Sequence, residues 1–287
     1  MIILAGIVLV ACQPPAAPDA TPTSKSSQPT ARSVAIPIAP SASGVTMPRG
    51  DLPGWKQIFT EDFVTDTPVG SFPSAAPYQG RWNAYPDGTL DTAGKNGAKS
   101  YYYPSKVLSV QNGVLDYNLH TANGTPMGAA LIPVLPGSST AYQGQLYGKF
   151  TIRFRADPLV GFKTAWLLWP DSGAWPRDGE IDFPEGDLSG SISAFMHRQD
   201  GTSGGDQEDF GTTTTYTAWH TASIEWTPNK VDFILDDRSI GSSTGRIPNT
   251  PMHWVIQTES SLDHFPAAST SGAVQIDWVA VYSYLQK

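Results

Sequence analysis

Short apolar or alternating segments, separated by turn residues, run along the chain from Asp51 to its end. Val107–Gln111 and Val114–Leu119 flank Asn112-Gly113, a dipeptide typical of a tight β-hairpin turn. No stretch shows a sustained helical period. The pattern therefore predicts an all-β domain over 51–287, with enough strands for two packed antiparallel sheets. Further predicted strands are Gly148–Arg155, Thr164–Trp169, Gly179–Phe183, Gly190–His197, His220–Trp226, Lys230–Leu235, His253–Gln257 and Ala273–Tyr282.

Two segments lack this apolar pattern. Residues 200–215 and 266–272 are rich in Gly, Ser and Thr, so we predict that they form surface loops. Asp236-Asp237 follows the alternating segment Val231–Leu235, and we predict a hairpin turn there without a functional role.

The first 50 residues differ from the rest of the chain. Residues 1–11 form an apolar run that is too short to span a membrane and is typical of an export signal. Cys12 follows a segment that resembles a bacterial lipoprotein box, and the alternative is an ordinary secretory signal that contains a cysteine. Residues 13–50 are rich in Pro, Ala, Ser and Thr, a composition typical of disorder. We expect an export signal over 1–12, a disordered tether over 13–50, and a bacterial protein that is either lipid-anchored or freely secreted.

Three carboxylates lie close together in one segment. Side chains alternate along a strand, so Glu180 and Asp182 share a face, and strict alternation sends Glu185 to the opposite one. A β-bulge near Phe183-Pro184 returns Glu185 to the first face, and proline is tolerated at a bulge. The sequence therefore predicts three acids on one surface.

Such an arrangement suits glycoside hydrolysis. In a retaining glycosidase, two carboxyl groups lie about 5 Å apart; one attacks the anomeric carbon and the other protonates the leaving oxygen and then activates water. Three acids on one face repel each other, so at least one pKa should rise, as a general acid near neutral pH requires. A solvated acidic edge strand or a metal site is also compatible with the spacing.

The segment Glu180-Ile-Asp-Phe-Pro-Glu185 resembles the signature of glycoside hydrolase family 16 in its bulged, laminarinase-like form. The resemblance covers nearly everything after residue 50 and implies a jelly-roll β-sandwich with a concave substrate cleft. Other segments that resemble the family, in the same order, are Phe59–Phe63, Tyr147–Phe154, Ala165–Pro170, His220–Trp226 and Val274–Tyr282.

The resemblance implies a role for each acid. Glu180 would be the nucleophile, Asp182 its hydrogen-bonding partner and Glu185 the general acid/base, with no cofactor required for catalysis. Trp175 matches a family position that forms a wall of the subsite beside the cleaved bond; the alternative is a packed core indole.

Other polar and aromatic residues are candidates for substrate contact. Trp166 and Trp169 are three apart on a strand, so they point to opposite faces. One interpretation is that one lines the cleft and the other fills the core; the alternative for either of them is structural packing. His197 ends the strand after the acids and is expected to contact the acid/base or a sugar hydroxyl, unless it is a surface imidazole. Gln257 and Glu259 are expected either to bind sugar on the leaving-group side or to be ordinary polar strand positions.

A structural calcium ion is also implied by the resemblance. Asp277 and Gly113 match family positions that hold Ca²⁺ on the convex side, away from the cleft, and oxygen ligands suit that ion. His253 and the other two histidines, His120 and His264, form no cluster with metal-ligand spacing.

Composition limits the partners. The 287 residues have a net charge of −8, which argues against nucleic acid, anionic membranes and sulfated polysaccharides. We expect an exported, monomeric retaining endo-glycosidase acting on β-1,3- or mixed β-1,3/1,4-glucan, with a membrane contact only through a lipid anchor. The alternatives are a transglycosylase with the same site, a non-catalytic glycan-binding protein of the lectin type, and a structural envelope protein.

Overall fold

A computed structural model describes residues 41–286. The predicted export signal, Cys12 and the part of the tether before residue 41 lie outside the described residues. Within that range the chain forms 17 strands and two helices of four residues each. None of the described helices has the length and apolar character that a membrane span requires.

The elements follow one another as β1 Trp55–Glu61, β2 Trp82–Ala84, β3 Thr89–Leu90, α1 Thr92–Lys95, β4 Tyr101–Tyr102, α2 Pro104–Val107, β5 Leu108–Gln111, β6 Val114–Ala122, β7 Thr125–Pro133, β8 Gly148–Ala156, β9 Phe162–Pro170, β10 Glu180–Asp187, β11 Ser191–His197, β12 Gln207–Thr215, β13 His220–Thr227, β14 Lys230–Leu235, β15 Arg238–Ser243, β16 Met252–Ser260 and β17 Ser271–Tyr284. The predicted all-β class is therefore confirmed.

Most strands form two antiparallel layers, and the short β4, which pairs with β3, runs parallel to β7. One layer has the order β2-β7-β16-β9-β10-β11-β12. The other has the order β5-β6-β17-β8-β13-β14-β15, with β1 paired to the later half of β17. Because β7 pairs with both β6 and β16, the layers join into one curled sheet, which is the predicted jelly-roll arrangement.

The core lies between the two layers. Strand β9 shows how alternation divides its side chains: Phe162, Trp166 and Leu168 enter the core, whereas Ala165 and Leu167 lie on the opposite face. That opposite face has its own apolar group, which we call the floor cluster: Tyr102, Ala130, Ile132, Ala165, Leu167 and Val255, with Tyr85 and Trp169 packed against it.

The predicted loop at 200–215 is wrong over most of its length, because β12 begins at Gln207. Its β-branched threonines favour a strand, and its exposure alternates although Phe210 is the one large apolar residue in it. The strand pairs with β11 alone among the described strands, so its polar side chains face solvent at an edge of the layer.

The folded domain also begins earlier than predicted. Residues 41–50, assigned from their composition to the tether, pack against β17. The amide of Ser43 donates to the carboxylate of Asp277 at 3.2 Å, and the indole of Trp278 donates to the carbonyl of Val45 at 2.8 Å. Hydrogen bonds to buried partners order this segment in spite of its low hydrophobicity.

Candidate active site

A bulge in β10 brings the three acids to one face. Asp182 pairs with Leu167 of β9, and the next pair is Glu185 with Ala165, so two residues of β10 oppose one of β9. The same shift occurs against β11. Leu167 and Ala165 both belong to the floor cluster, so Asp182 and Glu185 face the same side. The bulge predicted at Phe183-Pro184 is confirmed.

The two bulged residues explain why the strand accepts this irregularity. Phe183 is buried in the core, where its ring packs edge-on against Phe233 at 5.6 Å. Pro184 has no N–H to donate to the ladder, so its position at the unpaired site leaves no donor unsatisfied. The bulge therefore places Phe183 in the core and Glu185 on the face of the floor cluster.

His197 faces two of the acids from the neighbouring strand. Its Nε2 lies 3.3 Å from Asp182 Oδ2 and 3.8 Å from Glu180 Oε2. Its Nδ1 lies 3.0 Å from the carbonyl oxygen of Gly204, which can only accept, so Nδ1 donates and Nε2 is directed at the acids. Of the carboxylates, His197 contacts the candidate nucleophile and its partner and not the acid/base Glu185, and its contact with a sugar hydroxyl stays a prediction.

Glu180 and Asp182 are neighbouring buried carboxyl groups. Burial raises the pKa of both carboxyl groups well above the usual range, and repulsion from neighbouring acids raises them further. Asp182 is 2% exposed, and no N–H or O–H group of the described residues donates a hydrogen bond to it. The direction agrees with the expected rise in pKa, and desolvation is a larger cause of it than repulsion between the acids.

Glu185 has a different partner. The ammonium group of Lys163 lies 2.7 Å from Glu185 Oε1, and both side chains are mostly buried. Burial opposes the charge of Lys163, but attraction to Glu185, with help from Glu259 and Asp182, raises its pKa, so the lysine is charged. We missed Lys163 in the sequence, although it shares the alternating positions of Ala165 and Leu167 on β9.

Two tryptophans lie beside Glu180. Trp175 and Trp169 stack with ring centroids 6.1 Å apart and planes 17° apart, and the edge of His197 lies 6.0 Å from Trp175. Trp175 is 39% exposed, so it is not a packed core indole. Trp166 is fully buried in the core, and Trp169 lies against the floor cluster, as expected of residues three apart.

The loop 198–206 closes this part of the site. Gly204 packs so tightly on Trp175 that a Cβ there would lie 2.7 Å from the indole Cη2. Asp206 anchors the loop through hydrogen bonds from Arg246 at 2.6 and 2.7 Å and from Arg198 at 2.9 Å. These bonds, first from Arg246, lower the pKa of Asp206 to about 2. No local motif marked this loop.

Gln257 and Glu259 occupy different environments on β16. Gln257 pairs with Ala165, in the row of Glu185, and its Oε1 lies 3.2 Å from the hydroxyl oxygen of Tyr102. Glu259 is 1% exposed and accepts from Tyr102 at 2.5 Å and from the amide and hydroxyl of Thr92 at 3.1 and 3.0 Å. Glu259 thus lies on the face of the floor cluster, covered by Tyr102 and Thr92, and its carboxylate is engaged by these partners.

The surroundings of Asp277 do not fit a cation. Its carboxylate accepts from Ser41 Oγ, from Ser43 Oγ at 2.5 Å and from the amides of Ala42 and Ser43 at 3.2 Å each. Amide N–H groups directed at the carboxylate satisfy it and repel a positive ion. The calcium predicted at Asp277 and Gly113 stays a prediction, with no support from this donor set.

One group within the described residues has the composition of a metal site. Ligand atoms of Glu180, Asp182 and His197 lie within 4.8 Å of one another. Its position beside stacked indoles and the Lys163–Glu185 pair suits carbohydrate chemistry, because aromatic faces bind the apolar faces of sugar rings.

Comparisons with known proteins agree on one family. Residues 134–280, about half of the chain, match the model described as "Glycosyl hydrolases family 16". A curated relative, "Endo-1,3-1,4-beta-glycanase ExsH" of Rhizobium meliloti (strain 1021), is 24% identical over 212 residues, which are 67% of this chain and 44% of the relative. The chain therefore spans less than half the length of that protein.

Solved structures share the fold. The laminarinase from Rhodothermus marinus superposes with a TM-score of 0.61 at 20% identity, covering 82% of this chain and 100% of that chain. SCLam, described as a non-specific endo-β-1,3(4)-glucanase, gives a TM-score of 0.63 at 17% identity, covering 86% of this chain and 96% of that chain. The jelly-roll prediction is confirmed, and the chain belongs to glycosyl hydrolase family 16.

Proposed function

We propose that this protein is a retaining endo-glycosidase that hydrolyses β-1,3- or mixed β-1,3/1,4-glucan. The observation that supports this most is the bulged strand β10, which directs Glu180, Asp182 and Glu185 to one face in a chain of this family. A protein that only binds glycans has no need of three acids in this register, one of which requires a bulge to face the cleft.

Each acid has a role that its surroundings suit. Glu180, beside the tryptophan pair, attacks the anomeric carbon as the glycosidic bond breaks. Glu185, which takes up a proton from solvent before this step, gives that proton to the leaving oxygen. The glycosyl group is then bonded to Glu180. Glu185, now a carboxylate beside the Lys163 ammonium, removes a proton from water, and the resulting attack releases the sugar and regenerates Glu180.

Asp182 and His197 regulate the charge of the nucleophile. Glu180 must be ionised when it attacks, so the proton of the buried pair belongs on Asp182 at that moment, with its O–H directed at Glu180. His197 Nε2 lies 3.3 Å from Asp182 Oδ2, and this contact helps to hold the Asp182 carboxyl group in the orientation that directs its O–H at Glu180. Glu180 and Asp182 therefore share one negative charge, which lies on the Glu180 carboxylate when it attacks.

The names of similar proteins support the choice of substrate. They include an endo-1,3-1,4-β-glycanase and laminarinases, and a mutant of SCLam was co-crystallised with 1,3-β-D-cellotriosyl-glucose. The net charge of −8 favours neutral glucan over an anionic polymer.

We also propose that the protein is exported and then either anchored through a lipid on Cys12 or secreted, on the basis of the apolar residues 1–11. Replacing Cys12 by Ser should move an anchored protein from the membrane fraction to the soluble fraction. An unchanged distribution would contradict the anchor.

The hydrolase proposal is tested by measuring reducing ends released from laminarin, barley β-glucan, agarose and carboxymethylcellulose. We expect release from laminarin or barley β-glucan, and a loss of at least about a thousandfold in Glu180→Gln. Transfer products with oligosaccharide acceptors would indicate a transglycosylase, and binding without turnover would refute catalysis.

A further inference from the structure

An aromatic side chain stands exposed at the cleft face without an assigned role. Tyr142 lies in the loop 134–147 between β7 and β8, and it is 44% exposed. Its ring contacts the edge of His253 at 5.7 Å and the ring of Tyr85 at 6.1 Å. Tyr85 packs on the floor cluster and meets Tyr102 at 5.7 Å, so Tyr142 belongs to the cleft face.

The loop holds Tyr142 in place from both sides. The carbonyl oxygen of Gln143 accepts from Ser138 at 2.8 Å, and its side-chain oxygen accepts from the amide and hydroxyl of Ser139 at 2.7 and 2.8 Å. Gln145 exchanges two backbone hydrogen bonds with Met252 at 3.0 Å. The exposed ring is therefore preorganised, which reduces the entropy lost when a ligand binds to it.

A link to β16 completes the anchoring. The amide of Gly144 donates to Asp171 Oδ2 at 2.9 Å, and the other oxygen of Asp171 lies 2.9 Å from His253 Nδ1. A Cβ at Gly144 would lie 1.7 Å from the carbonyl oxygen of Met252, so only glycine allows this close approach. Asp171 thus ties the Tyr142 loop to the histidine beneath the ring.

The strand register locates the Tyr142 ring relative to Glu180 and the two tryptophans. Ile181 pairs with Leu168, which puts Glu180 in the row of Trp169, and His253 pairs with Trp169 on the far side of β9. Glu185, which protonates the leaving group in the proposed mechanism, lies in the row of Ala165. Tyr142 packs on His253, which lies beside Trp169 on the next strand, β16. Tyr142 is therefore one strand farther from Glu180 than Trp169 is.

We propose that Tyr142, supported by Tyr85, is an additional glycone-side platform that stacks on a neutral pyranose ring of the glucan chain. The inference rests on the proposed function, since it extends the same cleft beyond the Trp175–Trp169 pair. The Asp171 carboxylate beneath the platform disfavours an anionic sugar. Longer oligosaccharides reach the platform, and the shortest ones do not.

The test uses binding, which does not depend on turnover. The parent is the full chain with Glu180→Gln, titrated calorimetrically with laminari-oligosaccharides and mixed-linkage oligosaccharides of two to six units. Tyr142→Ala in this parent should weaken binding of the longest oligosaccharides about tenfold and leave disaccharide binding unchanged. Tyr142→Phe, which keeps the ring, should bind within about twofold of the parent.

The outcomes separate this inference from the proposed function. If Tyr142→Ala binds every length as the parent does, the platform is refuted, although the cleft is still a glucan site. An equal loss at all lengths, or a loss in Tyr142→Phe as large as in Tyr142→Ala, also refutes stacking at a remote subsite. If the parent binds no oligosaccharide and the native chain cleaves no glucan, the proposed function fails and the platform with it.

Discussion

Replacing Gly204 tests whether the loop 198–206 positions His197 and Trp175. Its carbonyl oxygen fixes the proton of His197 on Nδ1, and its Cα faces the ring of Trp175. Alanine at this position would put a Cβ 2.7 Å from Trp175 Cη2 and 3.1 Å from Cζ2. Carbon atoms pack at about 3.5–4.0 Å, so the indole or the loop must move by about 1 Å.

The indole has little room to retreat. Trp169 stacks against it at 6.1 Å, and the edge of His197 lies 6.0 Å away, next to Asp182. A shift of the Trp175 ring therefore disturbs both the proposed sugar subsite and, through His197, the carboxyl groups of Glu180 and Asp182. Because misplacement by about 1 Å can cost about a hundredfold in rate, we expect Gly204→Ala to lower kcat/KM by about 10- to 100-fold.

The neighbouring glycine provides the control. Gly205 has no atom within 4 Å of a Cβ built on it, so Gly205→Ala should retain kcat/KM within about twofold. The assay is initial-rate hydrolysis of a soluble β-glucan, with tryptophan fluorescence to report the indole and thermal unfolding to verify the fold. Equal activity in the two variants would refute the argument that Gly204 positions Trp175 and His197.

Three further predictions follow from the charges of the site. Since burial raises the pKa of Asp182 in the folded state, the folded chain binds more protons than the unfolded one above pH ~4, and stability is lost as pH rises. Asp182→Asn should therefore raise the melting temperature at pH 8 but little at pH 4, and a uniform effect would contradict this. Lys163→Met removes the ion pair of Glu185, so kcat should fall about tenfold with little change in KM, while Lys163→Arg retains more activity. Because N–H donors surround Asp277, EDTA should change neither activity nor melting temperature, and a large loss would indicate a bound metal.

The sequence could predict what local alternation determines. The position of Trp166 in the core and of Trp169 at the cleft follows from the two-residue period of a strand. The bulge at Phe183-Pro184 follows from the same period, because only one extra residue lets Glu185 share a face with Asp182. These features lie within single strands, where neighbours in sequence are neighbours in space.

Contacts between distant strands could not be derived in this way. The pairing of Lys163 with Glu185 and the choice of His197 for Asp182 depend on the register of β9 and β11 against β10. The role of Gly204 depends on a loop path that no motif encodes. The edge strand β12 was missed because its polar threonines give no apolar period.

The stereochemistry of cleavage tests the central claim most directly. Proton NMR of the first product released from a β-glucan oligosaccharide distinguishes its anomers before mutarotation mixes them. Double displacement through Glu180 predicts the β-anomer first, with the signal absent in Glu180→Gln. Initial appearance of the α-anomer would show inversion and would contradict the assignment of Glu180 as the nucleophile.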